Sequence, residues 1–324
     1  MEYQLVISNY TQPPSLKQGD TIGICAPSGI FDISRFNIGI NMLKSMDFNL
    51  HIPDEIYQKK RYMAGEDKLR ADVINSLFQN SNIKGIVCAR GGFGALRTLD
   101  YIDYDLITAN PKLFVGFSDV TALLMAISER SRIQVVHGPV VTSLADANEA
   151  TVKSLYQQLT SYCSSCDADV NSHIYYDKVF GGISSDSCGC RTLRKGYALG
   201  RLTGGNLATL CHLTGTRFQP NFDDSTLFLE DVGEPTYKID RMLTQMKLAG
   251  MFNKVKGVIT GSFERCGYND INKIDNINQA RTIIDEIILE IFDNPEQPIV
   301  SVVDAGHGIT NLSLRFGAVV QIDI

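Results

Sequence analysis

The sequence predicts an α/β protein of two domains, with a parallel sheet in its N-terminal half and a mixed second domain. Three observations carry this. Apolar runs alternate with helix-period segments from residue 21 to residue 136. Three of those runs close on polar or glycine-marked turns: Pro27-Ser28-Gly29, Arg90-Gly91-Gly92-Phe93-Gly94 and Gly116-Phe117-Ser118-Asp119. The chain has 324 residues, and a domain typically takes about 100–200.

The elements follow in order. Residues 21–26 are a short apolar strand, 33–46 a helix and 48–52 a short strand. Residues 67–79 form an amphipathic helix with Leu69, Val73 and Leu77 on one stripe. Strands are expected at 83–89, 113–117 and 133–136, with helical segments at 95–101 and 119–130. Strands separated by helices at this spacing make right-handed crossovers and a parallel sheet. Such sheets bind ligands beyond the carboxyl ends of their strands, so the three turns share one functional rim.

Ser, Asp, Cys and Gly dominate residues 161–190. That stretch reads as a linker between a first domain, 1–160, and a second, 191–324. Within the second, helices are expected at 206–213, 238–249 and 280–292. Strands are expected at 226–230, 255–260, 299–303 and 318–324.

Hydrophobic residues make up 44% and charged residues 20%, which excludes intrinsic disorder. A net charge of −6 argues against nucleic acid as a partner, because phosphate binding needs a basic surface. No apolar run reaches the length of about 18 residues that a membrane span needs. Met1-Glu2-Tyr3-Gln4 does not open a signal peptide, so the expected location is cytoplasmic with reduced thiols. Of the eight cysteines, Cys25 and Cys88 lie in apolar runs. Cys163, Cys166, Cys188 and Cys190 match the ligand count of a zinc site, but disulfides or plain thiols are the alternatives.

The chemistry-bearing candidates each have two readings or more. Gly91-Gly92-Phe93-Gly94 resembles half of a dinucleotide fingerprint, a tight turn, or a set of bare N–H groups for an oxyanion. Ser118 ends a strand and opens a helix, where the helix dipole favours developing negative charge; the alternative is an ordinary N-cap. Its surroundings resemble a nucleophile elbow with Val120 in place of the last glycine. His307, between Gly306 and Gly308, suits a general base or a simple turn. His137 falls at the sheet rim and is a second candidate, whereas His212 reads as structural. His51 and His173 receive no role. Glu230 and Asp231 end an apolar strand, where a carboxylate can orient a histidine or simply face solvent.

Eight motifs follow one another along the chain. They are Ala26-Pro27-Ser28-Gly29, Ala89-Arg90-Gly91-Gly92-Phe93-Gly94, Gly116-Phe117-Ser118-Asp119, His137-Gly138-Pro139 and Gly204-Gly205-Asn206-Leu207. Leu229-Glu230-Asp231, Tyr237-Lys238-Ile239-Asp240-Arg241 and Gly306-His307 complete the set. Together they resemble the LD-carboxypeptidase family of serine peptidases, family S66, which also contains microcin C immunity proteins. The resemblance implies a flavodoxin-like N-terminal domain, a smaller β-rich C-terminal domain and a homodimer. It implies Ser118 as nucleophile, His307 as base and Glu230 as orienting acid, with no metal and no cofactor. The oxyanion donors are then the backbone N–H groups of Gly92 and Asp119, in an interdomain cleft. The expected reaction removes the terminal D-alanine of murein tetrapeptides during peptidoglycan recycling. The alternative substrate is a peptidyl or aminoacyl nucleotide, and a third reading is a non-catalytic nucleotide binder. The absence of tryptophan, the best stacking surface for a base, favours the small peptide. Tyr175 and Tyr176, in a segment that matches no family motif, are the substitutes for it.

Overall fold

The computed structural model describes residues 9–161, 190–267 and 277–324. These divide into two compact units. The first comprises residues 9–161 and Asn311–Gly317; the second comprises residues 190–267, 277–310 and Ala318–Ile324. Residues 311–317, assigned above to the C-terminal domain, therefore belong to the first unit. Cys163, Cys166, Cys188, His173, Tyr175 and Tyr176 lie outside the described residues.

In the first unit the parallel strands are β1 (Thr21–Cys25), β2 (Asn49–His51), β3 (Ile83–Cys88), β4 (Leu113–Gly116) and β5 (Val135–His137). Their spatial order is β2-β1-β3-β4-β5, the order of flavodoxin-like sheets. Alternation with helices α1 (Ile33–Ser45), α2 (Asp67–Gln79), α3 (Tyr104–Ala109) and α4 (Thr121–Ser131) forces this parallel arrangement. The strands are apolar on both faces because helices cover both: Ile22, Ile24, Ile86, Val87, Phe114 and Val115 are fully buried. The first two turns of helix α4 are enclosed all round: residues 121–128 are all buried.

Further elements of this unit add to those expected above, α3 among them. Helix α5 (Glu149–Thr160) is capped by Asn148, whose side chain accepts from Thr151 N. Leu314–Phe316 forms a sixth strand, antiparallel to β5. Its three residues are too few for a period, and its partner lies far away in sequence. The segment 95–101 is a 3-10 helix, Ala95–Tyr101.

The second unit is a six-stranded sheet with helices Leu207–Leu213, Thr236–Leu248 and Ile277–Ile291. Its strands are β6 (Cys190–Arg194), β7 (Tyr197–Asn206), β8 (Ser225–Val232), β9 (Gly257–Glu264), β10 (Ile299–Val302) and β12 (Val319–Asp323), where β11 denotes Leu314–Phe316. The four central strands, β7-β8-β9-β10, are parallel, and β12 and β6 close the edges antiparallel. The expected strand-rich domain is thus a mixed sheet, and the glycine-rich run before Asn206 is one of its long central strands. Among the described residues no helix is long and apolar enough to cross a membrane.

Candidate active site

Ser118 stands where β4 gives way to α4, at the head of the 3-10 turn Ser118–Val120. Its φ is +62°, the left-handed region that an L-residue enters only under constraint. Holding a non-glycine residue there costs about 1–3 kcal/mol, and such strain clusters at functional sites. The turn is tight: a methyl group on Gly116 would lie 2.5 Å from Val120 Cγ1. The glycine two residues before the serine is therefore needed even though the one two residues after it is missing.

The turn after β3 lies directly beside this serine. A methyl group on Gly91 would stand 3.3 Å from Ser118 Oγ. Gly29 N donates to Gly91 O at 3.1 Å, and Asp119 Oδ2 accepts from Ala95 N at 2.8 Å. The three turns expected to share one rim are thus bonded to each other. Gly92, the proposed oxyanion donor, is exposed between these anchors. Tyr62 and Phe93 form an exposed edge-to-face pair, ring centroids 5.6 Å apart, beside the same turn.

Glu230, near the carboxyl end of β8, and His307, in the loop after β10, lie at the carboxyl rim of the second sheet. His307 Nδ1 lies 2.6 Å from Glu230 Oε2, and Glu230 is fully buried. A carboxylate only accepts, so Nδ1 carries the proton and Nε2 is left basic. Burial works against a charged His307, but the Glu230 charge and hydrogen bond outweigh it, and its pKa is raised above the ordinary imidazole value. Such a pair can take a proton and hold the resulting imidazolium.

The backbone aims this pair. Leu229 aligns with Thr260 and Asp231 with Phe263, so two residues of β9, Gly261 and Ser262, oppose Glu230 alone. A bulge of this kind re-aims side chains beside a site. Its residues also pin the histidine loop: Ser262 N donates to Ala305 O at 2.7 Å, and Ser262 Oγ accepts from Gly308 N at 3.1 Å. Gly306 has φ +112°, and any Cβ there would meet Glu230 Oε2 at 2.8 Å. Only glycine lets the loop pass so close to the buried carboxylate. Ser262 gave no sequence signal, because its contacts lie on a chain segment 43 residues away or more.

Asp231 faces the other way. It accepts from Asn206 Nδ2 at 3.1 Å and Ala208 N at 2.9 Å, anchoring the start of helix Leu207–Leu213. Burial, with the Glu230 charge behind it, pushes its carboxyl up to about 7. The other histidines separate clearly. His137 is buried, with its ring against Phe117 and Phe316 at centroid distances of 6.0 and 5.5 Å, so its place at a strand end does not expose it. His212 is an exposed helix residue. Cys25 and Cys88 are buried neighbours, sulfurs 3.7 Å apart, and burial holds the Cys88 thiol well above its usual value. Among the described residues no cluster of His, Cys, Asp and Glu could hold a metal ion.

The N-terminal domain model of LD-carboxypeptidases matches residues 22–138, and the C-terminal domain model matches residues 199–322. The chain belongs to the LD-carboxypeptidase family, peptidase family S66. This S66 chain is 28% identical over 313 residues to a Bacillus subtilis protein named "Probable murein peptide carboxypeptidase", covering 96% of the chain and 90% of the relative. It is 27% identical over 324 residues to the microcin C7 self-immunity protein MccF of Escherichia coli, covering 95% and 91%. Among solved structures, MccF in complex with aspartyl sulfamoyl adenosine superposes with a TM-score of 0.80 at 26% identity, covering 96% of this chain and 98% of that one. The two-domain α/β fold of this family member is therefore that of MccF, and the protein is an enzyme of the S66 peptidase family.

Proposed function

We propose that Ser118, His307 and Glu230 act as one catalytic triad that removes the terminal D-alanine from murein tetrapeptides. The observation that carries this reading is the Glu230–His307 hydrogen bond of 2.6 Å, which leaves Nε2 as the base. In this mechanism Nε2 takes the Ser118 proton and Oγ attacks the carbonyl of the L,D bond. The backbone N–H groups of Gly92 and Asp119 hold the oxyanion. His307 then protonates the departing amine of D-alanine, and water releases the tripeptide from Ser118 by the same steps in reverse order of proton flow. The strained Ser118 turn supports the nucleophile role. Similarity to a relative named for murein peptides supports the substrate. As a recycling enzyme the protein acts in the cytoplasm as a homodimer, which sedimentation and cell fractionation test.

A second reading is supported by the likeness to MccF, a self-immunity protein solved with an aminoacyl sulfamoyl nucleotide. On that reading the scissile amide joins an aminoacyl group to a nucleotide analogue. Incubation with murein tetrapeptide and, separately, with an aminoacyl sulfamoyl adenosine discriminates the two by product mass. Tetrapeptide shortened by one alanine supports the first reading. Cleavage of the nucleotide conjugate alone supports the second, and cleavage of neither overturns both.

A further inference from the structure

We propose that Arg70 is a positioning residue that sets the oxyanion turn of this site; the catalytic part of the proposal rests on the function proposed above. Arg70 lies in the first turn of α2, on the buried stripe with Val73, Ile74 and Leu77, and is 3% exposed. A charged residue in that position is costly, because a guanidinium loses its hydration and gains only one carboxylate. The carboxylate is Asp67, whose Oδ1 accepts from Arg70 Nη2 at 2.6 Å and which is also held by Arg97. Burial lowers the Arg70 pKa from its ordinary value.

What the arginine gains is a link between two turns. Nη1 donates to Pro27 O, in the turn after β1, and to Gly94 O at 2.9 Å, in the turn after β3. These turns flank the point where strand order reverses, between β1 and β3, which is where doubly wound sheets bind ligands. Gly94 has φ +133°, and a Cβ there would meet Nη1 at 2.8 Å, so the glycine and the guanidinium are fitted to each other. Gly92 therefore sits between two anchors. Gly91 is tied to Gly29 on one side, and Gly94 is tied to Arg70 on the other. Asp119, next to Ser118, holds Ala95 just beyond. An aliphatic side chain of equal length would fill the same space and bond neither carbonyl. A lysine would bring a single ammonium where the planar fork reaches two turns and a carboxylate.

The consequence is catalytic geometry. Loosening the clamp lets the Gly92 N–H drift from the oxyanion position, and displacement of about 1 Å can cost about a hundredfold in rate. The test uses the full-length protein with Arg70→Met, Arg70→Lys and, as a control on the exposed face of the same helix, Lys68→Ala. Two quantities are read: hydrogen–deuterium exchange by mass spectrometry, and kcat and KM on murein tetrapeptide. Arg70→Met is expected to speed exchange in residues 26–30 and 90–95 but not in β4. Its kcat should fall about ten- to a hundredfold with KM within about twofold of wild type. Arg70→Lys should fall between, and Lys68→Ala should match wild type in both. Wild-type exchange or wild-type kcat in a folded Arg70→Met overturns the proposal. If Arg70→Met does not fold, Arg70→Lys decides on the same two readouts. If the wild-type protein cleaves no substrate, the function reading falls, and the exchange pattern alone decides the clamp.

Discussion

Glu230 and His307 are joined by a hydrogen bond of 2.6 Å, while Asp231, the next residue along the same strand, turns to the opposite face. Successive side chains of a strand alternate, so adjacent acids cannot both reach one histidine. The bulge at Gly261-Ser262 and the glycine at 306 complete the selection of Glu230.

That selection predicts unequal effects of two conservative changes. Glu230→Gln presents an amide that can donate to Nδ1 and favour the wrong tautomer. By analogy with other triads, kcat should fall about a thousandfold or more. Asp231→Asn should retain most activity. In wild type the rising limb of kcat/KM against pH should have its midpoint above about 6.5, since the base must be neutral and its pKa is raised. In Glu230→Gln any residual activity should show that midpoint at lower pH. Stopped assays across pH 5–9 check both statements.

Asp231 also predicts how stability follows pH. Its folded pKa, about 7, is above the ordinary aspartate value of about 3.9. The folded state therefore binds the proton more tightly. The stability this group contributes is full below about pH 4 and is lost as pH rises to about 7. His307, also raised, adds a loss of the same sign as pH rises through its folded pKa. Melting temperature should fall between pH 5 and pH 8, and it should fall less steeply in Asp231→Asn. A steeper fall in the variant would contradict the assignment.

Gly306→Ala combines two faults. The new Cβ would sit 2.8 Å from both Glu230 Oε2 and Ser262 Oγ, at a backbone angle that L-residues avoid. It should cost about 1–3 kcal/mol of stability and reduce kcat at least about tenfold by shifting the His307 loop. Thermal melts and steady-state kinetics measure the two effects independently. Gly308→Ala, where the nearest atoms lie 3.5 Å or more from a new Cβ, is the milder comparison.

Much of the first unit was legible because a parallel sheet writes itself as apolar runs at helix-length spacing. The turn at Ser118 was legible for the same reason: strand, serine and helix follow one another directly. The choice of Glu230 over Asp231 rested on family resemblance, since a strand end with two acids has no local sign of which one faces the histidine. Leu314–Phe316 was not legible, because its place in the first sheet depends on pairing with Val135–His137. Arg70 left a faint signal. It occupies the buried stripe of α2 three residues before Val73, whereas Leu69, which the apolar spacing puts on that stripe, is only half-buried. What the arginine does there depends on carbonyls 24 and 43 residues away.

On the proposed function Ser118 is the nucleophile, and its strained backbone adds a second readout. Neither Ser118→Ala nor Ser118→Gly retains the attacking oxygen, but glycine alone relieves the φ of +62°. Ser118→Gly should therefore melt above Ser118→Ala. The measurement that tests the claim most directly is the rate of D-alanine release from murein tetrapeptide by purified, folded Ser118→Ala. The predicted result is a fall of at least about a thousandfold from wild type, with an unchanged melting temperature. A folded Ser118→Ala that releases D-alanine within about tenfold of the wild-type rate would contradict it.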